Sequence, residues 1–452
     1  MASPMNHAIA AIILAAGKGT RMKSDLHKVL HPIGGRAMLL HLLDSFAALR
    51  PASTVVVVGD KREQVESALV DTGASVAVQD PQLGTAHAAL QAKAALAEFD
   101  GLILVCFGDC PMLTGNTVRR LCDALSGGAT VAVLGFRPRD TAAYGRIIAD
   151  ADGNVLKMVE HKDASPEERA TGLCNSGVIV AHSQHMWRLL EAVGNDNAAG
   201  EYYLPDVATG AIAEGARVVV VETEEAEVAG VNSRAELAAA EAQWQAFKRE
   251  EAMAGGASLR APETVWFSWD TKLGRDVTVE PNVVFGPGVE VGDQVIIRAH
   301  SHIEGAKIAS GCEIGPFARL RPGTVLEEKA KIGNFVETKK AHLGKGAKAN
   351  HLTYLGDATI GAGANIGAGT ITCNYDGYFK YQTVIGDNAF IGSNSALVAP
   401  VKIGQDAIVA AGSAVTRDVA DGELRLVRGE QLVKPGWADR FHDAMRKKKA
   451  GK

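Results

Sequence analysis

Aromatic side chains are scarce, at 5% of the 452 residues, so any core must be built mainly from small aliphatics, and a 47% hydrophobic content supplies them. Cysteine is scarce as well. Cys106, Cys110, Cys122, Cys174, Cys312 and Cys373 form no C-x-x-C pair and no spacing of a zinc or disulfide framework. Reduced thiols in a cytoplasmic protein are the expectation. Long hydrophobic runs are missing too. Residues 8–16 are apolar but too short to span a bilayer. No basic region precedes them, and they lead straight into a Gly-rich turn, which separates them from a signal peptide and suits a buried first strand. Nor is there an excess of positive charge: the net charge of −5 argues against a general nucleic-acid or membrane-surface binder. The local exception, Arg446-Lys447-Lys448-Lys449, reads as a solvated, disordered end. Glycine is what the chain has in plenty, with 49 residues against an average share of roughly 7%. Many tight turns are required, and the length suits two or three domains.

The first half alternates strand-like apolar runs with amphipathic stretches. The runs are Ala8–Leu14, Thr54–Val58, Ser75–Val78, Leu102–Phe107, Thr130–Leu134, Val178–Ala181 and Arg217–Val221. Ala37–Leu49 and Glu63–Val70 have helical patterns. Continuous β-branched runs suit strands covered on both faces, and the alternation predicts an α/β domain with a mostly parallel sheet. From Ser233 to about Met253 the pattern turns helical, with Ser233 and Glu236 spaced as a capping box and Gly255-Gly256 as the stop.

The texture then changes. Apolar residues recur every six positions: Leu273, Val279, Phe285, Val291, Ile297 and Ile303, then, after a slip, Ile308, Ile314, Leu320, Leu326 and Ile332. After another slip come Leu343, Ala349 and Leu355, then Ile360 and Ile366, and finally Ile385, Ile391, Leu397, Ile403, Val409 and Val415. Neither a helix nor an alternating strand keeps a period of six. A hexapeptide solenoid does, one short strand and one corner per hexad. Two segments break the rhythm: an ejected loop around Asn374–Lys380, and the stretch Glu337–Tyr354, unusually polar for a structural repeat.

Leu14-Ala15-Ala16-Gly17-Lys18-Gly19-Thr20-Arg21-Met22 follows the first strand directly. A Gly-rich turn there presents backbone N–H groups to phosphate. Met22 stands where a dinucleotide fingerprint needs its third Gly, and Lys18 precedes rather than follows the Gly of a Walker loop. Dehydrogenases and P-loop NTPases therefore give way to another phosphate chemistry. Arg21 and Lys28 could neutralise a triphosphate or be ordinary surface cations. Asp109, at the end of the run Leu102–Phe107, could hold Mg²⁺ or serve a turn.

Together these residues resemble the sugar-phosphate nucleotidyltransferases. With the hexapeptide domain behind them, the chain is similar to the bifunctional N-acetylglucosamine-1-phosphate uridyltransferase and glucosamine-1-phosphate acetyltransferase family, from roughly Ala8 to Arg428. The ordered motifs LAAGKGTRM, QLGTAHA, FGD, YGRI, VEHKDA, CNSGV, GEYYLPD, GVNSR, GPFARLRPG, NFVETKKAHLGKGAKANHLTYLGDA and NIGAGTITCNYDG carry that resemblance. It implies an α/β Rossmann-like nucleotidyltransferase domain (residues 1–232), a linker helix (233–255) and a left-handed parallel β-helix with a C-terminal tail (256–452). It also implies Mg²⁺, with UTP and acetyl-CoA as co-substrates, glucosamine 1-phosphate and N-acetylglucosamine 1-phosphate as sugar substrates, no nucleic-acid or membrane partner, and a homotrimer. In the first domain Leu14, Ala15, Gly17 and Lys28 would meet the nucleotide, Gln79, Gly84 and Thr85 the uracil, and Gly145, Glu160 and Asn175 the sugar. Asp109 and Asn232 would ligate Mg²⁺.

For the second domain the resemblance implies His351 as general base, and Glu337 is a candidate to orient it. Arg321, Lys339 and Lys380 would bind the sugar phosphate; Tyr354, Asn365, Asn374 and Tyr375 would shape the sugar and acetyl site; Ser393, Ala411 and Arg428 would contact coenzyme A. The chain departs from the family's pattern at His27 (usually Pro), Phe107 (Tyr), Ala86 (Gly) and Ser176 (Thr), none of which removes a charge. Two rival readings are a nucleotidyltransferase whose β-helix only oligomerises it, and a non-catalytic scaffold. The polar stretch containing His351 opposes the first, and the full set of phosphate- and base-reading residues opposes the second.

Overall fold

The structure, a computed structural model, describes residues 8–141, 144–197 and 199–451. The chain separates into two compact units that divide between Lys248 and Arg249.

The first unit is built on one sheet of strands β1 (Ile9–Ala15), β2 (Ser53–Val58), β3 (Ser75–Val78), β4 (Leu102–Phe107), β5 (Val131–Phe136), β6 (Arg146–Ala149), β7 (Val155–Val159), β8 (Cys174–His182) and β9 (Val218–Thr223). Its main path runs β9-β5-β8-β4-β1-β2-β3. β8 is antiparallel to both neighbours. The other pairs on the path are parallel. Every residue of β1 is buried. Ala10, Ile12 and Leu14 enter one core cluster, while Ile9, Ala11, Ile13 and Ala15 enter the other. Successive side chains of a strand point to opposite faces, so a strand cored on both sides must read as an unbroken apolar run. The expected runs match strands in this sheet to within a few residues. The hairpin β6–β7, which joins the sheet through Cys174 and Arg146, was not expected. Its strands are short and half-solvated, with Leu156 and Lys157 exposed, and so lack the apolar signal.

The helix Arg234–Ala254 begins as the capping signal implied, with one change. Ser233 Oγ accepts from Glu236 N (3.3 Å), but the Glu236 carboxylate accepts from Asn232 N (2.7 Å) and not from Ser233. The cap thereby fixes the backbone of a residue of the site.

In the second unit each short strand pairs in parallel with the strand one coil further on. One row runs Val279, Ile297, Ile314, Ile332, Ala349, Ile366, Ile391, Val409. This is the left-handed parallel β-helix of the hexapeptide class. All the period-six residues are buried except Leu273, which is half-buried in the first coil. The segment after Cys373 leaves the coil and returns at Thr383, and a bridge between Tyr375 and Lys380 closes it. The basic tail corrects an expectation. It belongs to a helix, Trp437–Ala450, whose residues are all exposed. Its Ala, Arg and Lys residues are strong helix formers, which outweighs their solvation.

Candidate active sites

The carboxyl ends of β1, β2, β3 and β4 meet at one edge of the sheet, where open α/β sheets take ligands. Leu14 pairs with Phe107, and Ala15 with Val58. A cavity of ≈ 540 Å³ opens there, lined by Leu14, Ala15, Gly17, Lys28, Gln79, Gly84, Thr85, Asp109 and Asn232. Ala16, Lys18, His27, Gln82 and Glu201 also line it. Nine residues singled out from the sequence are thus brought together. Arg21 is not: it is exposed in the turn Thr20–Met22, outside the cavity wall.

The charges in the cavity are arranged around Lys28. Its ammonium contacts the Asp109 carboxylate and donates to Asn232 Oδ1 (3.0 Å). Cys106 and Cys110 flank this Asp and are buried. Burial, with the Asp109 carboxylate adding to it, pushes both thiols well above the ordinary range, so they are packing groups and not thiolates. Gly84 has φ of 120°, and a Cβ there would lie 2.5 Å from Tyr202 O, so only glycine fits. Thr85 Oγ1 accepts from Leu204 N (2.9 Å), tying this loop to the Tyr202 segment. Gln82, which the sequence reading missed, donates to Ala16 O (2.7 Å) and braces the Gly-rich turn.

Gly145, Glu160 and Asn175 line a second, smaller recess of the same unit with Asp206. A Cβ on Gly145 would come 3.2 Å from Glu160 Oε1. Burial holds the Glu160 carboxyl above its ordinary range, and Asp206 and Asp163 add to this. Burial alone does the same to Asp206. A recess rich in carboxyl oxygens suits the hydroxyls of a sugar. Asn175 Oδ1 accepts from Gly177 N (2.9 Å), which fixes its orientation.

In the β-helix, the polar residues lie on successive coils. His351 pairs with Asn334 in the ladder, and His351 Nδ1 lies 2.6 Å from Asn334 Oδ1. An amide oxygen only accepts, so Nδ1 carries the proton and Nε2 is left as the basic nitrogen. Glu337 was the expected orienting group, and it is engaged elsewhere: it accepts from Arg321 Nη1 (2.8 Å). The register explains this: the ladder sets Asn334 one coil from His351 and Tyr354 one coil from Glu337, which leaves the Glu337 carboxylate to the guanidinium. Lys339 and Lys380 lie together, and Lys380, with Arg321 near, pushes the Lys339 ammonium below its ordinary value. Clustered cations of this kind hold an anion. Asn374 Nδ2 donates to Asp357 Oδ2 (2.6 Å), and the Tyr375 hydroxyl donates to Gly377 O (2.5 Å), so both shape the ejected loop. Tyr354 pairs with Glu337, and Asn365 with Lys348. Gly412 N donates to Ser393 O (2.8 Å), and a Cβ on Gly412 would lie 3.6 Å from Arg428 Cδ. Ser393, Arg428 and the Gly412 neighbour Ala411 therefore share one region.

An α/β unit with a lysine-centred cavity at the carboxyl ends of its strands, followed by a hexapeptide β-helix that carries a histidine and a cation cluster on its coils, is the architecture of a two-headed transferase. Comparison with known proteins agrees in both halves. Residues 11–226 match the MobA-like NTP transferase domain, residues 270–305 the bacterial transferase hexapeptide, and residues 382–417 the hexapeptide repeat of succinyl-transferase. Over 99% of its length the chain is 70% identical to 99% of the bifunctional protein GlmU of Sphingopyxis alaskensis. It is 67% identical to the Novosphingobium aromaticivorans GlmU, covering 99% of this chain and all of that one. The Zymomonas mobilis GlmU is 57% identical over 97% of this chain and 98% of that one. The chain belongs to the GlmU family of bifunctional enzymes. It transfers an acetyl group from acetyl-CoA to glucosamine 1-phosphate in the hexapeptide unit, and a uridylyl group from UTP to N-acetylglucosamine 1-phosphate in the N-terminal unit.

Proposed function

We propose that residues 1–232 carry the uridylyl-transfer site, residues 256–452 the acetyl-transfer site, and residues 233–255 the link between them. The observation that carries the first assignment is the ammonium of Lys28 shared by Asp109 and Asn232 inside the cavity. Those two residues offer hard oxygens at a spot already chosen for positive charge. Mg²⁺ wants such a place, since it binds through one or two protein groups plus substrate phosphates. Asp109 and Asn232 would hold it, and when bound it neutralises charge on the phosphate oxygens. Lys28, released from them, pairs with the triphosphate, and the Gly17 turn presents N–H groups to it. Gln79 and Gly84 meet the uracil, with Thr85 beside them. Glu160, Asn175 and Gly145 seat the sugar so that its phosphate oxygen attacks the α-phosphorus in line as pyrophosphate leaves. Positioning and charge neutralisation are most of what this reaction needs.

In the acetyl-transfer site, Asn334 holds the His351 ring so that Nε2 takes the proton from the amine of glucosamine 1-phosphate. The nitrogen attacks the thioester carbonyl, and the coenzyme A thiolate leaves. Arg321, Lys339 and Lys380 bind the sugar phosphate, Tyr354, Asn365, Asn374 and Tyr375 shape the sugar and acetyl site, and Ser393, Ala411 and Arg428 contact coenzyme A. Three copies assemble. The support for this is a column of exposed rings on successive coils, at the corner that carries Leu352: His300, Phe317 and Phe335 stack at 4.8 and 5.2 Å. Leu352, next to His351, is 61% exposed. A patch of this kind asks for a partner surface. The free state of the six cysteines supports work in the cytoplasm, and among the described residues no helix is long and apolar enough to cross a membrane.

The test is a reaction of glucosamine 1-phosphate, acetyl-CoA, UTP and Mg²⁺ followed by mass spectrometry. UDP-N-acetylglucosamine should form only with acetyl-CoA present. The His351→Ala variant should form it only from N-acetylglucosamine 1-phosphate. Conversion of glucosamine 1-phosphate by that variant at the wild-type rate would sink the assignment of the base.

A further inference from the structure

Gln79 is 4% exposed, lies just past the end of β3 and lines the nucleotide cavity. Its amide nitrogen has two hydrogens and two partners. Nε2 donates to Gly84 O (2.9 Å) and lies 3.1 Å from His87 Nδ1. The carbonyl can only accept, so the amide nitrogen, and not its oxygen, must face it. His87 Nδ1 is therefore an acceptor, and the ring's proton is on Nε2. Gln91 Nε2 approaches that ring nitrogen at 3.3 Å, the longer of the two contacts, and its bond is to the carbonyl of His87 (2.9 Å). The His87 ring is packed beside Tyr202, with centroids 6.3 Å apart, in the segment that meets Gly84.

We propose that His87 is a positioning residue for base selectivity: with the Gly84 carbonyl it engages both amide hydrogens of Gln79, so that Gln79 Oε1 is turned to the cavity as an acceptor. This rests on the reading that Gln79 meets the base. A pyrimidine whose N3 carries a hydrogen gives that oxygen a donor. Cytosine offers a lone pair at N3 and places two acceptors face to face, which leaves a buried polar atom unpaired. The preference for UTP over CTP is thus set by a pair of contacts on the far side of the glutamine. Without His87 the amide is held at one hydrogen only and rotates more freely about its last torsion.

The experiment compares kcat/KM for UTP and for CTP, with N-acetylglucosamine 1-phosphate and Mg²⁺, in the full chain and in three variants. The ratio of the two constants does not depend on the fraction of enzyme that is folded. His87→Phe, which keeps a ring and removes the acceptor, should lower the UTP:CTP ratio roughly tenfold, mostly through the KM for UTP. His87→Gln, which restores an acceptor oxygen, should recover most of the ratio. Gln79→Ala should abolish the discrimination. If Gln79→Ala keeps the wild-type ratio, Gln79 does not read the base, and that reading fails together with this inference. If Gln79→Ala loses the discrimination while His87→Phe keeps it, only the role of His87 is overturned. A His87→Gln ratio no better than that of His87→Phe overturns it equally; should His87→Phe be inactive, a His87→Gln ratio near the wild-type value supports the role and one near that of Gln79→Ala overturns it.

Discussion

The two sites reach similar charge chemistry by different chain geometry. In the nucleotide cavity, Lys28 meets Asp109 across 81 residues and Asn232 across 204. No local feature of the sequence brings these together; the crossover order of the sheet does. In the β-helix, His351 meets Asn334 across 17 residues and Arg321 meets Glu337 across 16, one coil in each case. A site on a sheet edge is therefore a property of the whole unit, whereas a site on a solenoid belongs to neighbouring coils. Changes in either site should stay within its own reaction.

The sharpest way to break that separation is Asp109→Ala. It leaves the Lys28 ammonium with Asn232 alone and removes the one carboxylate at the proposed Mg²⁺ position. Uridylyl transfer should fall about 10²–10³-fold, the scale for loss of one preorganised charge-stabilising group, and acetyl transfer should stay at the wild-type rate. Assaying each half-reaction with its own sugar phosphate reads both numbers from one preparation. A parallel fall in acetyl transfer would mean that the two units are not independent.

A smaller effect sharpens the coil-by-coil view. Asn334→Ala removes the acceptor that orients His351 without touching either substrate. Acetyl transfer should drop roughly tenfold in kcat, the lower end of what partners of a functional imidazole contribute, with little change in either KM. Asn334→Asp keeps an acceptor and should recover activity, with the acidic limb of the pH–rate profile moved upward because a carboxylate favours the protonated ring, which cannot act as base. Glu337→Gln should instead raise the KM for glucosamine 1-phosphate, since Glu337 bonds to Arg321. If Glu337→Gln lowers kcat as Asn334→Ala is expected to, the pairing is assigned the wrong way round.

That exchange of partners shows what the sequence could and could not say. The six-residue period was legible because burial on the prism axis is a strict local rule, and it placed nearly every axial residue. The carboxylate Glu337 attracted attention by its chemistry, yet the coil length points one rung back from His351 to Asn334, which opens the motif NFVETKK but is a neutral side chain that drew no role. The β1, β2 and β4 runs were legible because both faces of those strands are buried. The hairpin Arg146–Val159 was not, because its exposed residues break the apolar pattern. Most of the residues that the sequence assigned to the nucleotide, and that line the cavity, came through the family resemblance. The bond of Lys28 to Asp109 and Asn232 did not, since it depends on which strands lie side by side.

The smallest expected effect again separates the two units. His27, His31 and His41 all lie in the N-terminal unit, and burial lowers the pKa of each below its ordinary value of 6.5. For His31 the neighbouring Arg234 works in the same direction. His27 caps the turn Lys28–Leu30 by accepting from Val29 N, a role of the neutral ring alone; His41 Nε2 donates to Ile33 O (2.7 Å), which favours the charged ring, but burial outweighs it. A folded-state pKa below the unfolded value means that the unfolded chain binds more protons as pH falls through 6.5. Stability is then full above that value and is lost progressively below it. Glu160 and Asp206, whose pKa values are raised, act in the opposite sense, but in the carboxylate range further down. Calorimetry of the full chain between about pH 8 and pH 6 should therefore show the transition that UTP–Mg²⁺ binding raises moving down by a few degrees, on the scale of roughly 2–4 °C per kcal/mol for a unit of this size. His31→Gln, which cannot be protonated, should flatten part of that slope. A UTP-responsive transition that does not move between those pH values would show that the three rings gain their protons without cost.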